Sequence, residues 1–236
     1  MTTQTTAGPP STLPLPRHVA VLGAAGGLGQ GILAVCRREG VGFTAIVRSR
    51  PERIGTVPHD SRVAEITSLS DLAALTTAFT GADAVLVALG VTATSQVPSA
   101  LLSRNMAVVE QAMLAAGTDR ILVTNTILNS APGKASSLSM RFFSCFPGNV
   151  GRGATEQRAV VDALGRGAFA SLRWTLVRGA LNARGKDERP VASADWAGAI
   201  NSWMPVSYQA MGRWMLEEAV ANAFVRAAPL VSRIRR

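Results

Sequence analysis

H-V-A-V-L-G-A-A-G-G-L-G-Q-G, residues 18–31, decides the fold of this chain. The apolar run 19–22 is typical of a buried β-strand, and glycines follow at positions 23, 26 and 29. Apolar residues then recur at helical spacing. A strand, a glycine turn and a helix in this order seat a dinucleotide pyrophosphate on the helix N-terminus. The glycines allow a tight turn, close approach of the backbone to the phosphates and close packing of the helix on the strand. We therefore predict a dinucleotide-binding site at this turn.

The composition suits one large domain, because 47% of the 236 residues are apolar. Residues 1–16 are rich in Thr and Pro, lack charge and lack the apolar stretch of a signal peptide. We interpret them as a disordered leader and residues 17–236 as a single domain. No run of eighteen apolar residues occurs, so we expect neither a transmembrane helix nor a membrane partner.

The reactive side chains are few. Two cysteines, Cys36 and Cys145, form neither a disulfide framework nor a zinc site, which fits a reducing compartment and predicts a cytoplasmic location. We predict no metal site, since His18 and His59 are the only histidines.

The formal charge of +9 comes almost wholly from arginine. The arginines are scattered along the chain, and the one dense cluster, at positions 233, 235 and 236, has no aromatic residues between its members. A nucleic-acid groove would concentrate cations on one surface. We therefore expect a small-molecule substrate and no nucleic-acid partner.

Short apolar runs alternate with helical patterns, which indicates a Rossmann-like, doubly wound parallel sheet with helices on both faces and a small C-terminal extension on the substrate side. The predicted strands are 18–23, 43–48, 62–66, 84–89, 120–125 and 174–178. The predicted helices after the first lie near 71–80, 99–116, 153–165 and 207–226.

Segment 126–152 has no such periodicity and carries several Pro, Gly and Ser residues with an aromatic patch at 142–146. It follows a strand and so leaves the carboxyl edge of the sheet, where open α/β sheets bind ligands. We interpret it as a wall of the substrate pocket; the alternative is an ordinary surface excursion. Segment 181–190 is also irregular and faces the same edge, and the substrate-side elements together span about 126–152 and 181–226.

The end of the second strand discriminates between NAD and NADP. An acidic residue there would bind the ribose hydroxyls, whereas arginine accommodates a 2′-phosphate. The strand ends in Arg48, followed by Ser49, Arg50 and Arg53, with no acid before Glu52. A guanidinium grips phosphate through two parallel hydrogen bonds, and a serine hydroxyl adds another. This pattern predicts NADP(H) as the cofactor.

Two further strand ends are expected to line the cofactor. Leu89-Gly90 closes the fourth strand, and Thr124-Asn125-Thr126 closes the fifth, nearest the expected nicotinamide. Hydroxyls at a strand end often serve only turns, which is the alternative here. The predicted cofactor-binding residues are Gly23, Ala25, Gly26, Gly27, Leu28, Gly29, Arg48, Ser49, Arg53, Leu89, Gly90 and Thr124.

The chain resembles the atypical short-chain dehydrogenases/reductases, in the NmrA-like and biliverdin/flavin-reductase-like branch. The glycine turn is similar to the family pattern G-x-x-G-x-x-G, and the resemblance covers roughly residues 18–182. The other matching stretches are V-R-S-R at 47–50, F-T-G-A-D-A-V-L-V-A-L-G at 79–90, A-A-G-T-D-R-I-L-V-T-N at 115–125, A-T-E-Q-R-A-V-V-D-A-L at 154–164 and L-R-W-T-L-V-R-G-A-L at 172–181. These stretches are specific for fold and cofactor rather than for substrate.

Departures from the family pattern concern catalysis. Classical members of the superfamily use a Tyr-x-x-x-Lys pair, which the biliverdin/flavin-reductase-like branch lacks; here Tyr208 is the only tyrosine, and Gly212 stands four residues later. The family's lysine three residues before the helix glutamate falls at Gly153, before Glu156, and an Asp that commonly precedes the last helix is Ala210. A tyrosine general acid at the family position is therefore excluded.

The resemblance implies an NADPH-dependent oxidoreductase that transfers hydride to a small planar or carbonyl-containing acceptor, such as a flavin or quinone, through geometry and solvent protons. It makes Thr124, Thr126 and Asn125 the candidates for orienting the substrate or the carboxamide. Trp203 and Trp214 are candidates for apolar surface around the acceptor, or for the core. The main alternative is a non-catalytic NADP(H)-binding redox sensor of the NmrA type; a weaker one is an epimerase-like relative. Monomer and dimer both remain open.

Overall fold

The computed structural model describes residues 13–90, 101–194, 200–201 and 204–234. Of the predicted leader, residues 1–12 lie outside this part of the chain. Leu15 packs against the core and Pro16 is buried, so the folded domain begins slightly earlier than residue 17.

The described chain forms ten strands, six α-helices and one 3₁₀ turn at Pro51–Ile54. The strands are β1 His18–Leu22, β2 Gly42–Val47, β3 Arg62–Glu65, β4 Ala84–Val87, β5 Arg120–Thr126, β6 Arg173–Gly179, β7 Leu181–Lys186, β8 Val191–Ser193, β9 Ile200–Asn201 and β10 Leu230–Ile234. The helices are α1 Gly27–Glu39, α2 Leu72–Phe79, α3 Met106–Ala115, α4 Leu138–Ser144, α5 Gly148–Gly165 and α6 Tyr208–Ala221.

The sheet has the order β3-β2-β1-β4-β5-β6-β10-β8, and β9 pairs with β10. The first seven strands of this order run parallel, while β8 and β9 are antiparallel to β10. The chain direction across the sheet reverses between β1 and β4, which places the topological switch point at their carboxyl ends. The predicted Rossmann-like fold class is confirmed.

Both faces of the sheet are apolar because helices cover both. One core packs the sheet against α1 and α6, and the other packs it against α2, α3 and α5. Glycines let α1 and α6 approach closely: a Cβ at Gly31 would lie 2.6 Å from the Tyr208 carbonyl carbon, and one at Gly212 would lie 3.0 Å from the Ile32 Cα. Helix α6, predicted as part of a substrate-side extension, therefore belongs to the main core.

A buried ion pair ties α6 to the start of β5. The Arg120 Nη2 atom lies 2.9 Å from the Glu218 Oε1 atom, and both side chains are almost fully buried. Burial lowers the pKa of Arg120 to about 10, with Glu218 opposing that effect. At the other end of α6, the Ser207 hydroxyl accepts a hydrogen bond of 2.9 Å from the Ala210 amide and so caps the helix. The orientation of α6 is thus fixed at both ends.

The six predicted strands are present, with ends shifted by one or two residues. Helix α6 stops at Ala221 rather than 226 because Asn222 adopts a left-handed conformation, with φ 54°. Helix α3 begins at Met106 rather than at 99, and α5 begins at Gly148, five residues before its predicted start.

Two segments predicted to be irregular contain regular structure. Segment 126–152 includes α4, capped by the Ser137 hydroxyl, and the first turn of α5. Segment 181–190 includes β7, whose ends bridge to Val206. Strands β8, β9 and β10 were not predicted. These elements are short and mixed in polarity, so their sequences lack a clear period.

None of the helices in the described ranges has the length and apolar character needed to cross a membrane. In the same ranges, no three His, Cys, Asp or Glu side chains are placed to hold a metal ion.

Candidate functional site

A cavity of about 450 Å³ opens at the carboxyl ends of β1, β2, β4 and β5. This is the topological switch point, where doubly wound sheets bind their ligands, and the volume suits a small organic molecule. The charged residues along its described lining are Arg48, Arg50, Arg53 and Glu156. The cavity therefore carries positive charge at the end beside β2 and one carboxylate at the other end, beside α5.

The glycine turn joins β1 to α1 at the floor of the cavity. Gly23 has φ +87°, and its amide donates to the Ile46 carbonyl over 3.1 Å. The Gly26 amide donates to the Gly23 carbonyl, and the first bond of the helix runs from the Gln30 amide to the Gly26 carbonyl over 2.9 Å. The amides of the first turn precede that bond and are available to an anion at the positive end of the helix dipole.

Close packing explains why the turn needs glycine. A Cβ at Gly29 would lie 2.4 Å from the Gly23 carbonyl oxygen and 2.6 Å from the Ala24 Cα. A Cβ at Gly23 would lie 2.9 Å from the Ala88 carbonyl oxygen of the chain after β4. Gln30, which the sequence analysis did not single out, donates from its side chain to the Ala24 carbonyl over 2.9 Å and fastens the turn to the helix.

Not every residue predicted in the turn reaches the cavity. Gly23, Ala25, Gly26 and Gly27 line it, whereas Leu28 and Gly29 are buried behind it. Gly29 has the packing role that the sequence pattern assigned to the third glycine.

Arginines crowd the end of β2. Arg48, Ser49, Arg50 and Arg53 all line the cavity and are exposed. In the described ranges, no carboxylate forms an ion pair with any of these three guanidinium groups. These guanidinium groups are therefore available to bind an anionic ligand.

Arg37 holds the loop that presents those arginines, a role that the sequence pattern did not reveal. From α1, its Nη2 atom donates to the Ile54 carbonyl over 2.6 Å and its Nε atom donates to the Thr56 carbonyl over 3.3 Å. Its guanidinium also lies 5.3 Å from the centre of the Phe43 ring. The loop after β2 is thus anchored to α1.

Leu89 and Gly90 line the cavity where the chain leaves β4. No described heavy atom lies within 4 Å of a Cβ built on Gly90, so this glycine leaves open space rather than resolving a packing conflict.

Thr124 lines the cavity at the end of β5, and its hydroxyl donates to the Val87 carbonyl over 2.8 Å. This bond ties β5 to β4 and uses the hydroxyl proton. The oxygen lone pairs of Thr124 remain available to a ligand donor.

Asn125 and Thr126 belong to a hydrogen-bond network at the edge of the cavity. The Asn125 side chain donates to the Gln157 carbonyl over 3.0 Å and accepts from the Asn129 side chain over 3.1 Å. The Gln157 Oε1 atom accepts from the Thr126 amide, and the Thr126 hydroxyl oxygen accepts weakly from the Leu128 amide over 3.4 Å. Asn125 borders the cavity but is 6% exposed, and Thr126 does not line it. Of the three catalytic candidates, the structure brings Thr124 and Asn125 to the cavity.

Helix α5 and the segment before α3 form the opposite wall. The Glu156 carboxylate accepts hydrogen bonds of 2.9 Å from the Leu102 amide, the Ser103 amide and the Ser103 hydroxyl. This carboxylate fastens residues 101–103 across the cavity, a role that sequence analysis missed. Gly153, where the family has a lysine, lines the cavity without a side chain.

The predicted pocket wall at 126–152 lies elsewhere. No residue of this segment lines the cavity in the described chain, and the aromatic patch faces solvent, with Phe142 63% and Phe146 44% exposed. Trp214, a candidate for acceptor-binding surface, is buried in the core beside Phe224. Trp203 lies outside the described residues.

Comparisons with known proteins agree with this architecture. A family model described as NAD(P)H-binding matches residues 23–221. No curated protein matches the chain.

Solved structures of similar fold span nearly the whole chain. A protein from Streptococcus pneumoniae described as an NADH-flavin reductase has a TM-score of 0.69 and 21% identity, and covers 92% of this chain and 99% of its own. A protein from Burkholderia pseudomallei described as exported has a TM-score of 0.66 and 22% identity, covering 91% of this chain and 98% of its own. A short-chain dehydrogenase/reductase from Veillonella parvula in complex with NADP has a TM-score of 0.65 and 19% identity, covering 93% and 95%. At these identities the similarity establishes the fold, and the resemblance to the atypical short-chain dehydrogenases/reductases is confirmed at that level.

Proposed function

The chain belongs to this NAD(P)H-binding family, and we propose that it is an NADPH-dependent reductase of a small planar or carbonyl-containing acceptor such as a flavin or quinone. In this proposal, the pyrophosphate rests on the first turn of α1. The 2′-phosphate meets Arg48, Ser49 and Arg53, and the nicotinamide lies toward Thr124. The wall formed by α5 and residues 101–103 then borders the acceptor.

The observation that carries the preference for NADPH is the group of unpaired arginines after β2. Arg48 and Arg53 line the cavity, no described carboxylate neutralises them, and Arg37 fixes their loop to α1. A 2′-phosphate offers the guanidinium groups charge-assisted, bidentate hydrogen bonds, whereas a ribose hydroxyl offers neither charge nor that geometry.

Bound NADPH supplies the hydride, and the protein places the two reactants. The described cavity wall offers no Tyr-Lys pair, and Gly153 leaves space where the family lysine would stand. The Thr124 hydroxyl proton is engaged with Val87, so the Thr124 oxygen is suited to accept a hydrogen bond from the carboxamide. Orientation and exclusion of water supply the acceleration, and solvent supplies the proton.

The cofactor preference is tested with the double variant Arg48→Ala/Arg53→Ala. We expect the Kd for NADPH to rise by about 100-fold, since two charge-assisted contacts are lost, while the Kd for NADH changes by less than about threefold. Fluorescence titration of each nucleotide measures both constants. Arg166→Ala is the matched control, because Arg166 is exposed just beyond the C-terminal end of α5, at the edge of the sheet opposite the cavity. Equal losses for NADPH and NADH would contradict the assignment.

The reaction is tested by following NADPH oxidation against a panel of flavins, quinones and aldehydes. Turnover of a flavin or quinone with NADPH supports the reductase. The second candidate is a redox sensor that binds NADP(H) without chemistry, and it is favoured by the engaged Asn125 side chain and the missing acid–base pair. Tight NADPH binding with no turnover on any acceptor would contradict the reductase hypothesis and support the sensor hypothesis.

A further inference from the structure

Tyr208, the first residue of α6, packs directly on the first turn of α1. The Tyr208 Cε2 and Cζ atoms lie 2.7 and 3.0 Å from the position of a Cβ on Gly27. The Tyr208 Cβ lies 2.7 Å from the corresponding position on Gly31. A larger residue at position 27 would therefore displace the ring, and one at position 31 would meet the backbone and Cβ of Tyr208. Gly27 and Gly31 have a packing role that the glycine-turn pattern does not explain.

The position of the ring also places its hydroxyl. The hydroxyl oxygen is bonded to Cζ, the atom beside Gly27, and Tyr208 lines the cavity together with Gly26 and Gly27. The side chain is half-buried, and its hydroxyl forms no hydrogen bond with any residue that the structure describes. A tyrosine in such a setting buries its ring and offers its hydroxyl to a polar partner. Because Tyr208 lines the cavity, a ligand bound there is a suitable partner.

The neighbouring groups identify the chemistry of that ligand. The amides at the start of α1 favour an anion from one side. The Tyr208 hydroxyl approaches the same turn from α6, whose orientation is fixed by the Ser207 cap and the buried Glu218 pair. An O–H donor beside free helix amides suits a phosphate oxygen.

We propose that the Tyr208 hydroxyl donates a hydrogen bond to the pyrophosphate of the bound dinucleotide, which makes Tyr208 a cofactor-binding residue contributed by the last helix. The proposal deepens the proposed function and rests on its placement of the pyrophosphate. It is independent of the preference for NADPH and of the acceptor. It also gives the chain's single tyrosine a binding role, at the phosphate end of the cavity, in place of proton transfer at the nicotinamide end.

The test compares ligands that do and do not contain the pyrophosphate. Tyr208→Phe keeps the ring that packs on Gly27 and Gly31 and removes only the hydroxyl. We expect the Kd values for NADPH and NADH to rise by the same factor, about tenfold, because both contain the pyrophosphate. The Kd for adenosine 2′-monophosphate, which lacks it, should stay unchanged. Unchanged NADPH affinity in Tyr208→Phe would overturn the proposal, and so would an equal loss of adenosine 2′-monophosphate binding.

The Arg48→Ala variant separates this proposal from the cofactor preference. It should weaken NADPH and adenosine 2′-monophosphate together and leave NADH nearly unchanged. If Arg48→Ala behaves otherwise while Tyr208→Phe follows the pattern above, the NADP assignment fails and the role of Tyr208 stands.

A chemical probe gives a second measurement that a purely structural role would not affect. N-acetylimidazole acetylates exposed phenols, and Tyr208 is the only phenol in the chain. We expect NADP⁺ to slow acetylation at least about fivefold, since the bound pyrophosphate engages the hydroxyl, and adenosine 2′-monophosphate to have no effect. Acetylation at the same rate with and without saturating NADP⁺ would overturn the proposal.

Discussion

Around the glycine turn, backbone packs on backbone, whereas around α4 and the start of α5 large apolar side chains face solvent. A Cβ at Gly29 would lie within 2.4 Å of the Gly23 carbonyl oxygen. By contrast, Leu138 is 80% and Phe142 63% exposed, and Val150 is 53% exposed. In the proposed function, residues 18–90 hold most of the cofactor and residues 101–165 border the acceptor, so we refer to them as the cofactor half and the acceptor half. The cofactor half is closely packed before any ligand arrives, while the acceptor half retains apolar surface that the core does not use.

In the proposed function, the two halves also recognise different ligands. Every dinucleotide presents the same pyrophosphate, and a fixed helix terminus with free amides suits it. An acceptor is recognised by shape and apolar contact, which vary from one enzyme to another. Fold similarity therefore reports on the cofactor half far better than on the acceptor half.

The largest expected difference between the halves is in the reactivity of their cysteines. Each half holds one. Cys36 is buried in α1, and burial raises the pKa of its thiol from 9.0 to about 12, whereas Cys145 lies exposed after α4. The thiolate is the reactive form, so at a given pH this rise lowers the reactive fraction of Cys36 about 1000-fold. We expect a thiol reagent to modify one cysteine in the native protein and both after denaturation. Rapid modification of both in the native protein would contradict the tight packing of the cofactor half.

Gly29→Ala should cost more than about 3 kcal/mol of unfolding free energy, because the added methyl meets backbone atoms that cannot move aside. Denaturant unfolding measures the loss. Gly90→Ala is the matched control, since no described atom lies within 4 Å of the added methyl and the Gly90 backbone is not left-handed. We expect Gly90→Ala to retain stability and to weaken NADPH binding, because the methyl would enter the cavity. Similar stabilities of the two variants would contradict the distinction between packing and ligand-facing glycines.

Glu156→Gln should lower the unfolding free energy by about 1–2 kcal/mol, because a half-buried carboxylate that accepts three hydrogen bonds is lost. We also expect a higher KM for the acceptor, since residues 101–103 border that end of the cavity. Asp162→Asn is the control: it makes the same charge change at an exposed position of the same helix. A loss in Asp162→Asn as large as in Glu156→Gln would point to net charge rather than to the clamp.

His18 gives a smaller effect. Burial, with Arg62, holds the pKa of His18 below its ordinary 6.5, against the opposing effects of Asp60 and Asp83. Because the unfolded chain then binds the proton at higher pH than the folded protein, the unfolding free energy falls as the pH drops below 6.5 and levels off below the folded pKa. His18→Gln should flatten this part of the stability profile. An unchanged slope in His18→Gln would contradict the pKa depression.

The acceptor half should respond in a more acidic window. A hydrogen bond from Arg173 lowers the pKa of Asp119 below its ordinary 3.8, so this stabilisation is complete above that value and is lost as the pH falls through the folded pKa. Asp119→Asn should therefore change the stability profile only in strong acid. A change in stability near pH 6.5 in Asp119→Asn would contradict the separate pH windows expected for the two halves.

The sequence by itself determined the strand–turn–helix unit at 18–39, the six parallel strands of the doubly wound sheet and the arginines after β2. Each of these follows from residues within one local unit: hydrophobic period, glycines at fixed spacing and the residue type at a strand end. The candidate cofactor residues at Gly23, Gly26 and Arg48 were predicted for the same reason, since a local pattern places them at one edge of the sheet.

Only the tertiary structure decided which of those residues face the cavity and which partners hold them. Gly29 lies behind the cavity because α1 packs on the turn, and the Thr124 proton is engaged because β5 lies beside β4. The Glu156 clamp and the Tyr208 contact join segments distant in sequence, so no local period encodes them. Such contacts form when helices cover the sheet. They give a common Rossmann-like fold the particular cavity of this protein.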